Sequence, residues 1–245
     1  MSDGVEVLRA LHLRRPPGEP LILPGPWDAA SARALAEAGF EALATPSAGV
    51  AAALGYADGE TPADEMFAAV ARITRAVDVP VTADIEDGYG LAPKELVERL
   101  LAAGAVGCNI EDSTGGVLKD PREHAGYLAE FCAAAAGRIF LNARVDTFVH
   151  GDGDPGRAVE QAVERAALYL AAGAECVYPI MAPVAVLPLL RSGIEGPLNA
   201  LALLTPDGPS PAALGELGAT RITFGPQLQR RATAAAAELA AGLRQ

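Results

Sequence analysis

Lysine is nearly absent from this chain of 245 residues: Lys94 stands at a helix start and Lys119 in a loop. A Schiff-base aldolase needs a lysine at the end of a buried strand, so that chemistry is excluded. Cysteine is almost as sparse. Cys108, Cys132 and Cys176 are widely spaced, odd in number and flanked by apolar residues, which argues against a disulfide framework or a zinc knuckle. Two of them fall in expected strands as small core residues. His12, His124 and His150 are isolated from one another and read as surface residues rather than ligands or bases. No apolar run approaches about 20 residues, and the N-terminus lacks a signal-peptide core, so the expectation is a cytoplasmic protein without a membrane partner. Basic residues are outnumbered, 19 Lys and Arg against 31 Asp and Glu, and the net charge of -12 argues against nucleic acid as a partner. No Gly-x-Gly-x-x-Gly turn follows any strand, which removes the main signature of a dinucleotide-binding sheet.

Hydrophobic residues, by contrast, make up 51% of the chain, enough to bury a large core. Short β-type runs alternate with Ala/Leu/Arg/Glu-rich helical stretches. The runs are 21–23, 42–45, 81–83, 107–110, 140–142, 176–178, 198–200 and 222–224. Several of the intervening helices end in an Ala-Gly or Leu-Gly turn, at Gly39, Gly104, Gly173 and Gly218, where glycine permits the left-handed conformation that redirects the chain. Eight β-then-α units without a Ser/Gly linker predict a single α/β domain over residues 1–245, a (β/α)8 TIM-type barrel. The Ala-rich run Leu228 to Leu243 is expected to be helical and to pack on its own barrel or on a neighbour's.

In such a barrel the chemistry lies at the C-terminal ends of the strands, and the polar residues of this chain collect there. Trp27 and Asp28 follow the first strand, Pro46, Ser47 and Ala48 the second, with Asp58 in the same long loop. Asp84, Glu86 and Asp87 follow the third strand, Glu111 and Asp112 the fourth, and Asn142, Arg144 and Asp146 the fifth. Crowded carboxylates at buried strand ends repel one another unless a cation or a shared proton offsets the charge. Hard oxygen ligands such as Asp84 and Glu111 suit Mg²⁺, with Mn²⁺ as the substitute; salt bridges to barrel arginines are the alternative for these two acids. Arg144 is placed to grip a carboxylate through paired hydrogen bonds, or else to neutralise Asp146 and the acidic wall. An acidic metal site facing an arginine implies a small carboxylate substrate with a metal-chelating oxygen, the outline of a 2-oxo acid, whose enolate the site would stabilise. Asp28 reads equally as a helix cap, and Asn199, after the seventh strand, as a pocket or a turn residue. Proton transfer falls to Asp58, Tyr56, Glu60 or Tyr89, with Asp58 preferred because its loop could close over the substrate.

Five segments in order, Gly25-Pro26-Trp27-Asp28, Ser47-Ala48-Gly49-Val50 with Leu54 to Glu60, Ala83 to Gly90, Asn109-Ile110-Glu111-Asp112 and Leu141 to Asp146, resemble the isocitrate lyase/phosphoenolpyruvate mutase superfamily. The resemblance implies a Mg²⁺-dependent barrel that handles pyruvate-like enolates, as a homo-oligomer, tetramer or dimer, that exchanges terminal helices. It also implies that Asp84, Glu86 and Glu111 hold the metal directly or through water. Arg144 and the backbone near Ser47 and Ala48 would bind the 2-oxo carboxylate, with Trp27, Asp28, Asn142 and Asn199 nearby, and Asp58 and Tyr89 would lie near the reacting group. Three departures stand out. Lyases of this family carry a Lys-Lys-Cys-Gly-His-like loop after the fourth strand, where this chain reads Ser113-Thr114-Gly115-Gly116-Val117-Leu118-Lys119-Asp120. Of the mutase loop only Lys119 has a counterpart. Pro46 replaces a serine and offers neither N–H nor hydroxyl. The expected reaction is C–C lysis on a small 2-oxo or 2-hydroxy acid; hydrolysis, phosphoryl transfer and substrate binding without turnover are the alternatives.

Overall fold

The computed structural model describes residues 2–151, 153–206 and 208–243. Its central strands are β1 (Leu21–Ile22), β2 (Leu43–Thr45), β3 (Val81–Asp84), β4 (Gly107–Glu111), β5 (Phe140–Val145), β6 (Cys176–Pro179), β7 (Asn199–Leu201) and β8 (Arg221–Thr223). Each overlaps one of the runs expected from the sequence. Strands β2 to β6 pair in parallel in sequence order, and β8 pairs in parallel between β1 and β7. A parallel bridge between Val177 and Leu198 joins β6 to β7, and the Ala44 N–H donates to the Pro24 carbonyl at 3.1 Å across the β1–β2 seam. The sheet therefore closes on itself, and the architecture is the expected (β/α)8 barrel.

The helices form for the reasons the sequence carries. In Ala63–Thr74, Met66, Phe67, Val70 and Ile73 recur at helical spacing and are the buried face. In Pro93–Ala102, proline at the first turn costs no hydrogen bond, and Leu96, Val97 and Leu100 face the barrel. The turn glycines Gly39, Gly104, Gly173 and Gly218 all adopt φ between 78 and 108°.

Alternation along each strand then divides the side chains. On β4, Cys108 and Ile110 join the core between barrel and helices, which leaves Asn109 and Glu111 for the interior. A second, smaller core closes the opposite end: Val5 and Leu8 of the helix Ser2–Leu13 pack on strand-start residues Leu21, Ala42, Phe140 and Cys176. All three cysteines are free, and Cys108 and Cys176 are buried in strands as expected. The histidines require a correction. His12 and His124 are buried, with pKa lowered to about 3 chiefly by desolvation: His12 stacks on Phe140, and His124 stacks on Tyr127 and meets Tyr169 edge-on.

Two features were not legible beforehand. The segment after β4 is an antiparallel hairpin, Ser113–Thr114 with Val117–Leu118, turning at Gly115 and Gly116. The helix Gln227–Gly242 buries none of its residues against its own barrel and leaves Leu239 75% exposed. No described helix is long and apolar enough to cross a membrane.

Candidate active site

β3 delivers Asp84 to the rim, and the chain then turns sharply. Glu86 (φ 54°), Gly88 (φ 90°), Tyr89 (φ 57°) and Gly90 (φ 68°) all lie in the left-handed region. For Glu86 and Tyr89 this conformation is strained and must be imposed by surrounding contacts. Asp87 supplies several of them: its carboxylate accepts from the Tyr89 N–H at 2.9 Å and the Thr114 hydroxyl at 2.6 Å. A Cβ at Gly88 would sit 2.9 Å from the Tyr127 hydroxyl, which itself donates to the Leu91 carbonyl at 2.9 Å. The acidic loop is thus wedged in place rather than free.

Asp84 opens onto a cavity of about 260 Å3 at the C-terminal end of the barrel, where Ser47, Ala48, Asp58, Asn109 and Arg144 also meet. One Asp84 oxygen is fully engaged: Oδ2 accepts the Ser47 hydroxyl at 2.9 Å and the Ser47 N–H at 3.3 Å. The other, Oδ1, is buried and has no protein partner. Ser47 opens the helix Ser47–Leu54; its own N–H donates to Asp84 and those of Gly49 and Val50 to the Pro46 carbonyl, which leaves the Ala48 N–H at the positive end of the helix to favour an anion. Pro46 contributes no N–H and lines the cavity. Across from this helix end, Arg144 is braced by Asp146, at 2.7 Å from Nε and 3.2 Å from Nη2, and by Glu111 at 2.6 Å from Nη1. Three of its five N–H groups are committed and two stay available. Arg144 thus neutralises the acidic wall and also lines the cavity.

Burial and mutual repulsion push the acids upward. Glu86 rises to about 7, first through desolvation and then through Asp84, Asp58 and Asp87. Glu111 rises to about 8, again mainly through burial, against the pull of Arg144. Asp58 is raised by burial and by Asp84, while Arg144 and Arg230 oppose the rise. The Tyr89 hydroxyl is raised by burial and by Glu86. It lies behind the acidic wall, outside the cavity lining, and makes no hydrogen bond of good geometry although it is close enough to Glu86 for each to influence the other.

This donor set fits a hard divalent cation. An unpartnered buried carboxylate oxygen sits among carboxylates whose ionisation is held back by burial and then by their mutual repulsion. Among the described residues, no three His, Cys, Asp or Glu side chains come close enough to grip one ion together. Of the expected trio, Asp84 borders the cavity, whereas Glu111 is drawn to Arg144 and Glu86 stands behind.

Several expected residues lie elsewhere. Asp28 is a helix cap, its carboxylate 2.7 Å from the Ser31 N–H with Ser31 Oγ returning to the Asp28 N–H at 3.0 Å, so it does not line the cavity. Trp27 beside it packs half-buried on the main core. Asn142 is fully buried below the cavity floor and donates to Asn109 at 2.8 Å. Asn199 is likewise buried and donates to Thr223 Oγ1 at 2.9 Å. Tyr56 is turned outward and donates to Glu65 at 2.5 Å. Asp112 is structural, paired with Arg165 at 2.9 Å and Tyr169 at 2.8 Å. In their place the cavity gains Thr45, Asn109, Tyr178, Thr223 and Arg230. The period-two pattern signalled Asn109, two residues before Glu111 on one strand face; nothing in the sequence signalled Arg230, which reaches in from an otherwise exposed helix.

Comparison with known proteins agrees with this geometry. The family model described as phosphoenolpyruvate phosphomutase matches residues 8–244. An uncharacterised protein of Mycobacterium tuberculosis (strain H37Rv) is 34% identical over 212 residues, 85% of this chain and 78% of that one. The 2-methylisocitrate lyase of Aeropyrum pernix is 32% identical over 188 residues, 71% of this chain and 57% of its own length. A solved structure from Burkholderia cenocepacia J2315 superposes with a TM-score of 0.88 at 38% identity, covering 99% of this chain and 100% of that one. The structure of 2,3-dimethylmalate lyase gives a TM-score of 0.82 at 27% identity, covering 100% of this chain and 88% of that one. With its barrel, its acidic strand ends and Arg144 at the rim, this chain belongs to the phosphoenolpyruvate phosphomutase family within the isocitrate lyase/PEP mutase superfamily of enzymes.

Proposed function

We propose that this protein is a Mg²⁺-dependent enzyme acting on a small 2-oxo or 2-hydroxy carboxylic acid through an enolate, and that its reaction is C–C bond cleavage. One observation carries the reading: the unshared oxygen of Asp84, the spare N–H groups of Arg144 and the open helix start at Ala48 border the same small cavity. Its likeness to 2-methylisocitrate lyase and 2,3-dimethylmalate lyase supports the choice of bond.

The roles follow from what each group can offer. Asp84 would hold the cation directly, and Glu86 and Glu111 through water. Bound there, Mg²⁺ supplies charge that stabilises a developing enolate oxygen. The two free N–H groups of Arg144 and the first-turn N–H of Ala48 hold the substrate carboxylate and fix its orientation. Asp58, raised by burial, is placed to take the proton of a 2-hydroxyl as the adjacent C–C bond breaks and to return it to the departing fragment. Tyr89, its hydroxyl raised by burial, stays protonated behind Glu86. The exposed helix Gln227–Gly242 is proposed to dock on another copy of the chain, giving a dimer or tetramer.

A second reading rests on the hairpin after β4. It carries no cysteine and is tied to Asp87 through Thr114, so it brings no acid–base group of its own to the cavity. A 2-oxo acid binder without turnover would look like this. Mn²⁺ paramagnetic resonance tests the shared core of both readings. The expected result is one bound Mn²⁺ per chain whose spectrum changes on adding a 2-oxo acid and which is lost in Asp84→Ala; binding that survives Asp84→Ala would refute the site.

A further inference from the structure

Among the described residues the largest fully buried side chain is not apolar: Arg221, at the start of β8, is 0% exposed and pairs with no described carboxylate. Among the described residues its Nε and Nη1 find no hydrogen-bond partner, and its one bond runs from Nη2 to Asn109 Oδ1 at 3.4 Å. Asn142 Nδ2 donates to the same oxygen at 2.8 Å. A guanidinium buried at such cost calls for a role.

The pair Asn109–Asn142 alone does not fix a direction. Each amide has a donor end and an acceptor end, and flipping both together preserves the bond between them. Arg221 breaks that symmetry, because a guanidinium donates and never accepts. The Asn109 atom that faces it must be the carbonyl oxygen. Asn109 Nδ2 is then turned away from Arg221 and Asn142 and donates to no described protein group, while Asn109 itself lines the cavity between Asp84 and Arg144. We infer that Asn109 is a substrate-binding residue that presents its Nδ2–H to an anionic substrate oxygen, and that Arg221 is the positioning residue that sets this orientation from inside the barrel. The site then recognises an acceptor at three points, Arg144, the Ser47–Leu54 helix start and Asn109, and discriminates against a substrate with a donor or an alkyl group at the third.

This inference rests on the proposed 2-oxo acid site, and oxalate with saturating Mg²⁺, a planar dianion with four acceptor oxygens, is the probe. Calorimetry would compare the wild type with Asp84→Ala, Asn109→Leu, Asn109→Asp, Arg221→Met and the Asn109→Leu/Arg221→Met double variant, with thermal melting run on each. Loss of a hydrogen bond to a charged oxygen lowers affinity about tenfold in both Asn109 variants. Asn109→Asp gives Arg221 a carboxylate and melts no lower than the wild type, so affinity and stability part company. Arg221→Met frees the amide pair to flip and costs at least about twofold in affinity, with no further loss in the Asn109→Leu background. Unchanged oxalate affinity in the folded Asn109 variants would overturn the assignment of Asn109, and a full Arg221→Met effect in the double variant would overturn the positioning role. If the wild type binds no oxalate, or Asp84→Ala binds it as well, the proposed site itself falls and the inference with it.

Discussion

Glu86→Gln separates what the acidic wall does for the fold from what it does for a cation. In the apo protein Glu86 has its pKa raised from 4.5 to about 7 by burial and by the neighbouring carboxylates. A carboxyl raised on folding gives stability that is fully present below its unfolded value and is lost as pH rises through the folded value. At about 1.4 kcal/mol per pH unit, the loss above pH 8 is bounded at about 3 kcal/mol, and the partial exposure of Glu86 reduces it to about 1–2 kcal/mol. Glutamine keeps the shape and removes the charge. In EDTA at pH 8.5, Glu86→Gln is therefore more stable than the wild type by about 1–2 kcal/mol. At pH 5.5 the advantage shrinks to less than half, because Glu86 is then mostly protonated in the folded protein. Saturating Mg²⁺ reverses the order, since the wild type recovers the charge balance and the variant has less to recover. Urea midpoints at the two pH values, with EDTA and with Mg²⁺, measure all three statements. A destabilised variant at pH 8.5 in EDTA, or a difference independent of pH, would refute the electrostatic account.

Other perturbations have equally definite outcomes. Ser47→Ala removes the hydroxyl that holds Asp84 Oδ2 at 2.9 Å and should weaken Mn²⁺ binding about 10- to 100-fold without unfolding the barrel, read by resonance titration. Gly88→Ala forces a side chain into φ 90° and against the Tyr127 hydroxyl, and should cost about 1–3 kcal/mol in a urea melt. Asp112→Ala leaves Arg165 without its buried partner and should cost about 3 kcal/mol by the same measurement. Magnesium binding should release protons near pH 7 and almost none at pH 9.5, because Glu86 and Glu111, raised to about 7 and about 8, must ionise as the ion enters; calorimetry in buffers of differing ionisation enthalpy reads this.

The barrel was legible because each strand combines a short β-type run with an Ala-Gly or polar boundary, and those local signals survive folding intact. The cavity lining was legible where polar residues stop a buried run, as at Asp84 and Arg144. Asp58 also reaches the cavity from its loop. Asp28 shows the limit of that rule. An acid just after a strand also begins a helix, and here Ser31 satisfied it first. Asn142 and Asn199 were legible as polar strand residues, but which layer of a barrel a residue occupies depends on strand stagger, which sequence spacing does not carry. The same stagger hid Arg221, whose partner Asn109 lies 112 residues away. The hairpin at Gly115-Gly116 was read as a loop because two-residue strands are too short to show a period.

Turnover tests the central claim most directly. Purified protein with Mg²⁺ would be followed by NMR against 2-oxo acids, oxaloacetate, 2-alkylmalates, isocitrates and phosphonopyruvate, beside Asp84→Ala and an EDTA control. Mg²⁺-dependent cleavage of a C–C bond in a 2-hydroxy or 2-oxo acid is the expected result, absent from Asp84→Ala and from EDTA. Product that forms equally in EDTA or in Asp84→Ala, or no product from any of these acids, would contradict it.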